Sequence, residues 1–138
     1  PVIEAALLQH RPPTLSALNQ RLVTTIARDL LGITQTRFID SATLHVQATK
    51  QERIIGLLKA VGATSYLSGP AAKDYLQAER FAAEGIELKW KDYSGYPDYD
   101  QPHPPFEHAV SILDLLFATG PAAPDYIWGW RTGSATGS

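Results

Sequence analysis

Residues 66–76 read YLSGPAAKDYL, from Tyr66 to Leu76. A short strand-like run, Thr64 to Leu67, meets Ser68-Gly69-Pro70, and a helical pattern restarts at once. Proline suits the first helical position because its missing N–H would be unpaired there anyway, and a serine hydroxyl can cap a first-turn amide. Glycine permits the tight turn. The stretch therefore predicts a strand that passes directly into a short helix reaching about Ala78. Two readings of the corner stay open. It is plain connection chemistry, or it is a binding corner, since ligands of open parallel sheets sit outside the carboxyl ends of the strands. On the second reading Ser68, Gly69 and the amides of the following helix hold a phosphate or carboxylate, with Lys73 adding charge one turn in. Neither GxGxxG nor GxxxxGK[ST] is present to strengthen that reading.

Working outward, Thr36 to Asp40 (TRFID) reads as a strand, and Ile86 to Trp90 alternates apolar and polar residues as a half-buried strand does. Between the first two strands, Ile54, Ile55, Leu57, Leu58 and Val61 recur at helical spacing from Thr49 to Val61, with Gly62 as the stop. Strand, helix, strand, helix, strand predicts an α/β fold in which Thr36–Asp40, Thr64–Leu67 and Ile86–Trp90 are neighbouring parallel strands. Nearer the start, Thr14 to Leu31 reads as a helix capped by Thr14 and stopped at Gly32, packed with Thr49–Val61 on the sheet. An opening helical segment, Val2 to Leu8, is broken at Arg11-Pro12-Pro13. Beyond the last strand, VSILDLLFA (Val110 to Ala118) reads as a very apolar helix, closed by Thr119-Gly120-Pro121. The expected organisation is a single domain over residues 1–131, followed by a flexible tail over 132–138.

Composition narrows the classes. The chain has 138 residues, 44% hydrophobic and 19% charged, which suits one globular domain with its own core. A formal net charge of −2 supplies no steering toward nucleic acid or an anionic membrane. There is no cysteine, so disulfides, thiol nucleophiles and Cys-ligated zinc are excluded. No apolar run is long enough to span a bilayer. The expected location is the cytoplasm, and the expected ligand is a small molecule, with no nucleic acid and no membrane.

Chemistry-bearing residues concentrate in two places. The segment 92–106, DYSGYPDYDQPHPPF, is a long proline- and tyrosine-rich loop, and long irregular loops in compact domains are often functional. Tyr93, Tyr96, Tyr99 and Gln101 offer flat rings, hydroxyls and an amide, which suit sugar recognition or simply pack the loop onto the body. In the apolar helix, Asp114 is either a solvated first-turn charge or a carboxylate aimed at a site, and Ser111 is its neighbour one turn back. His103 and His108 flank PPFE without a third metal ligand, so neither metal nor cofactor is expected. The YIWGWR end, with Trp128, Trp130 and Arg131, covers the core or stacks on a sugar or partner.

Taken together, YLSGPAAKDYL, Phe81, GIELKWKDYSGYPDYDQ and FEHAVSILDLLFATG resemble the WbqC-like family. LSALNQRLVTTIARDLLGI and KQERIIGLLKAVGATSYLSG fall in the family's order as well. Members are longer and begin with a segment resembling QPxYxPxxGYF, similar to the first strand and turn of nucleotidyltransferase-like Rossmann domains. This sequence lacks that segment, so the resemblance implies the C-terminal part of a three-layer Rossmann-like domain. It implies tailoring of a sugar or amino-sugar precursor of bacterial surface polysaccharide or natural products, by acyl or aminoacyl transfer to a nucleotide-linked sugar. The alternative it leaves is a binding or assembly module, a homo-oligomer or one with a partner over a sheet edge. The family-like strings favour Asp114 and Ser111 as catalytic residues, and Ser68, Gly69, Lys73, Tyr75, Tyr93, Tyr99 and Gln101 are the expected substrate-binding ones; of these, Ser68, Gly69, Tyr75, Gln101, Ser111 and Asp114 are expected to converge on one polar cleft.

Overall fold

Two strands pair in parallel, Ser65–Ser68 (β1) and Glu87–Trp90 (β2), with Ser65 opposite Glu87 and Ser68 opposite Trp90. The structure, a computed structural model, describes residues 2–8 and 12–129. The remaining elements are helical: α1 (Val2–Leu8), α2 (Leu15–Thr25), α3 (Lys50–Ala60), α4 (Ala78–Ala82), α5 (Ile112–Thr119) and α6 (Ala123–Ile127), with 3-10 turns and a π turn between them. The fold is thus mixed helix and strand with a small parallel sheet. The chain forms two compact units, Pro1–Arg37 with Gly95–Ser138, and Phe38–Ser94. Arg11, His10, Trp130, Arg131 and the tail 132–138 lie outside the described residues.

The unit Phe38–Ser94 is built around the β1–β2 pair. Ile55, Ala72, Leu76, Phe81 and Ile86 form its buried core, with Ile54 and Leu58 of α3 and Tyr66, Leu88 and Trp90 of the sheet packed against it. Phe81 is 0% exposed and stacks on Tyr66, ring centroids 5.8 Å apart. The helix expected over Thr49–Val61 is α3, with Thr49 and Val61 at its caps. It ends where Gly62 takes a φ of +68°, a left-handed value that glycine adopts without Cβ strain. On the surface, Lys59 pairs with Glu84 and holds that carboxyl below its ordinary 4.5, chiefly through their hydrogen bond. Such an exposed pair adds little stability.

Two expectations differ from the structure at the start and in the middle of this part of the chain. Thr36–Asp40 is not a strand: the described residues hold a two-stranded sheet, not three neighbouring strands. A short run of β-prone residues does not supply a strand partner, and Asp40 turns the chain away by capping a 3-10 turn, Ser41–Leu44, through Ala42 N–H to Oδ1 at 2.9 Å. The helix expected to run from Pro70 to about Ala78 is split. Pro70–Asp74 is a 3-10 turn, the chain leaves it at Tyr75, and α4 begins only at Ala78. The break lets Ala72 and Leu76 both enter the core, and Gln77 N–H is taken by Gln51 Oε1 at 2.6 Å.

The other unit is helical. Thr14 caps α2, accepting Ala17 N–H at 3.2 Å, as its sequence predicts. The expected single helix to Leu31 instead widens into a π turn, Ile26–Leu30, before Gly32 stops it at φ +67°. Its buried residues are Ala6, Ala27, Leu115 and Ala123. Three of these four are alanine, so the burial rests on close backbone approach more than on large side chains. The apolar helix starts at Ile112, two residues later than its hydropathy suggests, because Ser111 caps it by accepting Leu113 N–H at 3.2 Å. Among the described residues no helix is long and apolar enough to cross a membrane.

Candidate functional site

Asp114 lies at the third position of α5, where a first-turn carboxylate often turns back to its own cap in the S-x-x-D pattern. Here it turns elsewhere. Its Oδ2 accepts Tyr99 O–H at 2.7 Å and Gln101 Nε2–H at 3.0 Å, both from the long loop. Two donors on one oxygen fix the carboxylate, and among the described residues the other oxygen has no hydrogen-bond partner and can meet a ligand. Asp100, Gln101, Pro102, Asp114, Phe117 and Ala118 line a cavity of about 370 Å³ at this point.

The loop is shaped to deliver those donors. Gln101 is clamped to the backbone of Glu107, donating to its carbonyl at 3.0 Å and accepting its N–H at 2.8 Å. Glu107 in turn accepts Ala109 N–H through Oε1 at 2.7 Å. Tyr99 is set edge-on between Phe106 and Tyr126, centroids 5.0 and 5.9 Å away. This partial burial, followed by the bond to Asp114, raises the Tyr99 hydroxyl above its ordinary 10.0, so it stays a donor at neutral pH. His108 stacks edge-on against Phe106, with Nε2 3.9 Å from Asp98 Oδ1. Among the described residues no three potential metal ligands gather.

Tyr99, Gln101, Ser111 and Asp114 are therefore brought together in one unit. Ser111 stands beside the site as a cap, its carbonyl also receiving Asp114 N–H at 2.9 Å. Ser68, Gly69, Lys73, Tyr75 and Tyr93 belong to the other unit. There Ser68 is buried opposite Trp90, Lys73 Nζ stands 5.7 Å from the Trp90 ring centroid, and Tyr93 Oη lies 3.8 Å from where a Cβ on Gly69 would be. Tyr75 departs from that group. It is 65% exposed and lines a cavity of about 480 Å³ with Lys50, Gln51 and Gln77. The helix start proposed to hold an anion at Ser68-Gly69 is a five-residue 3-10 turn, too short for the dipole of a long helix. Sequence reasoning missed Glu107, Phe106 and Tyr126, because a loop's composition does not tell which backbone groups its amides will clamp.

The WbqC-like protein family matches residues 1–126, most of the chain. This chain belongs to the WbqC-like protein family. A protein of similar sequence is the uncharacterized protein Rv1507c of Mycobacterium tuberculosis, 43% identical over 120 residues, or 87% of this chain. The chain spans about half the length of that curated relative, 51%. No solved structure matches this chain. The Asp114 site falls wholly inside the WbqC-like match, loop and helix alike.

Proposed function

We propose that this WbqC-like chain takes part in tailoring a sugar precursor of bacterial surface polysaccharide or natural-product biosynthesis, and that the sugar enters at Asp114. The observation that carries this reading is the single Asp114 oxygen held by both Tyr99 and Gln101 on the wall of a cavity of about 370 Å³. A cavity of that volume suits a small ligand. The free Asp114 oxygen and the Asp100 carboxylate accept from hydroxyl or ammonium groups, and Phe117 offers a flat face to the carbon side of a sugar ring. In acyl or aminoacyl transfer to an amino sugar, the amine attacks the acyl carbon and the donor's carrier leaves. Asp114 takes the proton that the amine loses. On this reading the protein works in the cytoplasm on soluble, nucleotide-linked precursors, and β1 and β2 are strands of a larger Rossmann-like sheet.

The test is calorimetric titration with nucleotide-linked amino sugars, followed by mass spectrometry after addition of activated acyl or aminoacyl donors. Binding by the parent with about tenfold loss in Asp114→Asn supports the proposal, that being the worth of a hydrogen bond to a charged group. Equal binding by parent and variant refutes it.

A second reading, an assembly module without catalysis, is favoured by a different observation. Val2, Leu7, Leu8, Leu30, Leu116 and Phe117 are among the residues lining a groove of about 740 Å³, and Phe117 is 77% exposed. Apolar faces of that kind commonly mark contact surfaces. Light scattering on parent and Phe117→Asp separates the readings: an assembly that dissociates in the variant favours the module.

A further inference from the structure

We propose that the unit Phe38–Ser94 carries an oxyanion site of its own at the carboxyl end of β1, where Ser68, Gly69 and Lys73 take a phosphoryl or carboxylate group. Three observations point there independently.

The first is Ser68. Only 7% of it is exposed, and among the described residues its hydroxyl has no hydrogen-bond partner; its carbonyl is taken by Lys91 N–H at 2.8 Å. A buried hydroxyl left unpaired costs free energy that a ligand oxygen restores.

The second is Gly69. Its φ of −71° and ψ of 153° are extended values that any residue adopts. Among the described residues, a Cβ placed on it meets nothing nearer than Tyr93 Oη at 3.8 Å, an ordinary contact. Neither the backbone nor the packing requires glycine at this position. What a missing side chain does provide is room for a ligand to approach the main chain.

The third is Lys73. Its ammonium stands 5.7 Å from the Trp90 ring centroid, a distance at which a cation is held by the ring face. Trp90 is the register partner of Ser68, so the charge is brought to the same strand end. Among the described residues no carboxylate pairs with Lys73, the adjacent Asp74 included. An unpaired cation, a free hydroxyl and an open backbone position form an oxyanion site, and they lie outside the carboxyl ends of two parallel strands, where open α/β sheets bind ligands. No helix dipole is needed.

The experiment uses the full chain, labelled with nitrogen-15 and titrated separately with inorganic phosphate, acetate and uridine diphosphate. The expected result is movement of the Ser68 and Gly69 amide signals and the Trp90 indole signal. A response to phosphate and uridine diphosphate but not acetate identifies a phosphoryl site, and the reverse a carboxylate site. Lys73→Ala weakens binding about tenfold or more, the worth of one hydrogen bond to a charged group. Gly69→Ala keeps the parent melting temperature and loses affinity to a similar degree, because its backbone tolerates alanine while the ligand does not. Parent-like affinity in a folded Gly69→Ala overturns the proposal, as does silence at Ser68 and Gly69 with all three probes. If Gly69→Ala lowers the melting temperature, Ser68→Ala decides, since it removes a hydroxyl that makes no internal bond: undiminished affinity there overturns the site.

Discussion

Tyr99 donates its phenolic O–H to Asp114 Oδ2 at 2.7 Å, joining the long loop to the first turn of α5. Burial between Phe106 and Tyr126 raises the Tyr99 hydroxyl above 10.0, and the bond to Asp114 adds to the rise. A group whose folded value is raised contributes stability that is complete below its unfolded value and is lost as pH climbs through the folded one. Stability from Tyr99 is therefore level through neutral pH and declines above pH 10.0. Tyr99→Phe should cost about 1 kcal/mol at neutral pH, the worth of a partly exposed hydrogen bond, and should flatten the alkaline decline. Urea unfolding across pH checks both; an unchanged alkaline limb would show that Tyr99 is not its source.

Gln101 makes three bonds, two to Glu107 and one to Asp114, and so holds the loop in the shape that presents Tyr99. Gln101→Ala should speed amide exchange at Glu107, whose N–H now rests on Gln101 Oε1 at 2.8 Å. Gln101→Glu should be worse than alanine at neutral pH, because a second carboxylate then faces Asp114 with no donor between them. The gap between the two variants should close as pH falls through the carboxylate range. Equal stability of the two at pH 7 would remove Gln101 from this role.

Phe81 anchors the other unit. It is 0% exposed, stacked on Tyr66 and surrounded by Ile55, Ala72, Leu76 and Ile86. Phe81→Ala should cost about 3–5 kcal/mol through lost transfer energy and the cavity left behind. Phe81→Leu, which fills more of that space, should cost less. Chemical denaturation of the two variants orders them, and a Phe81→Ala loss near zero would contradict the packing described.

These cases show what the sequence could and could not convey. Periodicity found α2, α3 and β2, where one side is turned inward, fully at Ile55 of α3 and partly along α2 and β2, and such burial writes a period into the residues. Thr36–Asp40 failed because a short β-prone run marks only extended backbone, whereas pairing depends on a partner elsewhere in the chain. The helix after Pro70 broke at Tyr75 for a tertiary reason, the joint burial of Ala72 and Leu76. At the site, Asp114 stood out as a carboxylate in an apolar helix, and Gln101 and Tyr99 as members of a tyrosine-rich loop. Their meeting across an irregular segment carries no local signal, and neither does the Glu107 clamp.

Ser111 separates a capping role from a chemical one. Its Oγ accepts Leu113 N–H at 3.2 Å, which satisfies one of the free amides at the start of α5. Ser111→Ala should therefore cost about 1 kcal/mol, the usual loss for an emptied N-cap. Ser111→Asn keeps an accepting oxygen at the cap but removes the hydroxyl, so it should retain the parent's stability. Under the proposed sugar-tailoring reading, if capping is the whole role, Ser111→Asn should bind and turn over sugar precursors as the parent is proposed to do, while Asp114→Asn should not. Full stability with lost turnover in Ser111→Asn would instead place the hydroxyl in the chemistry. Melting temperature measured beside product formation distinguishes the two, because only the chemical role lets activity fall while the helix start stays intact.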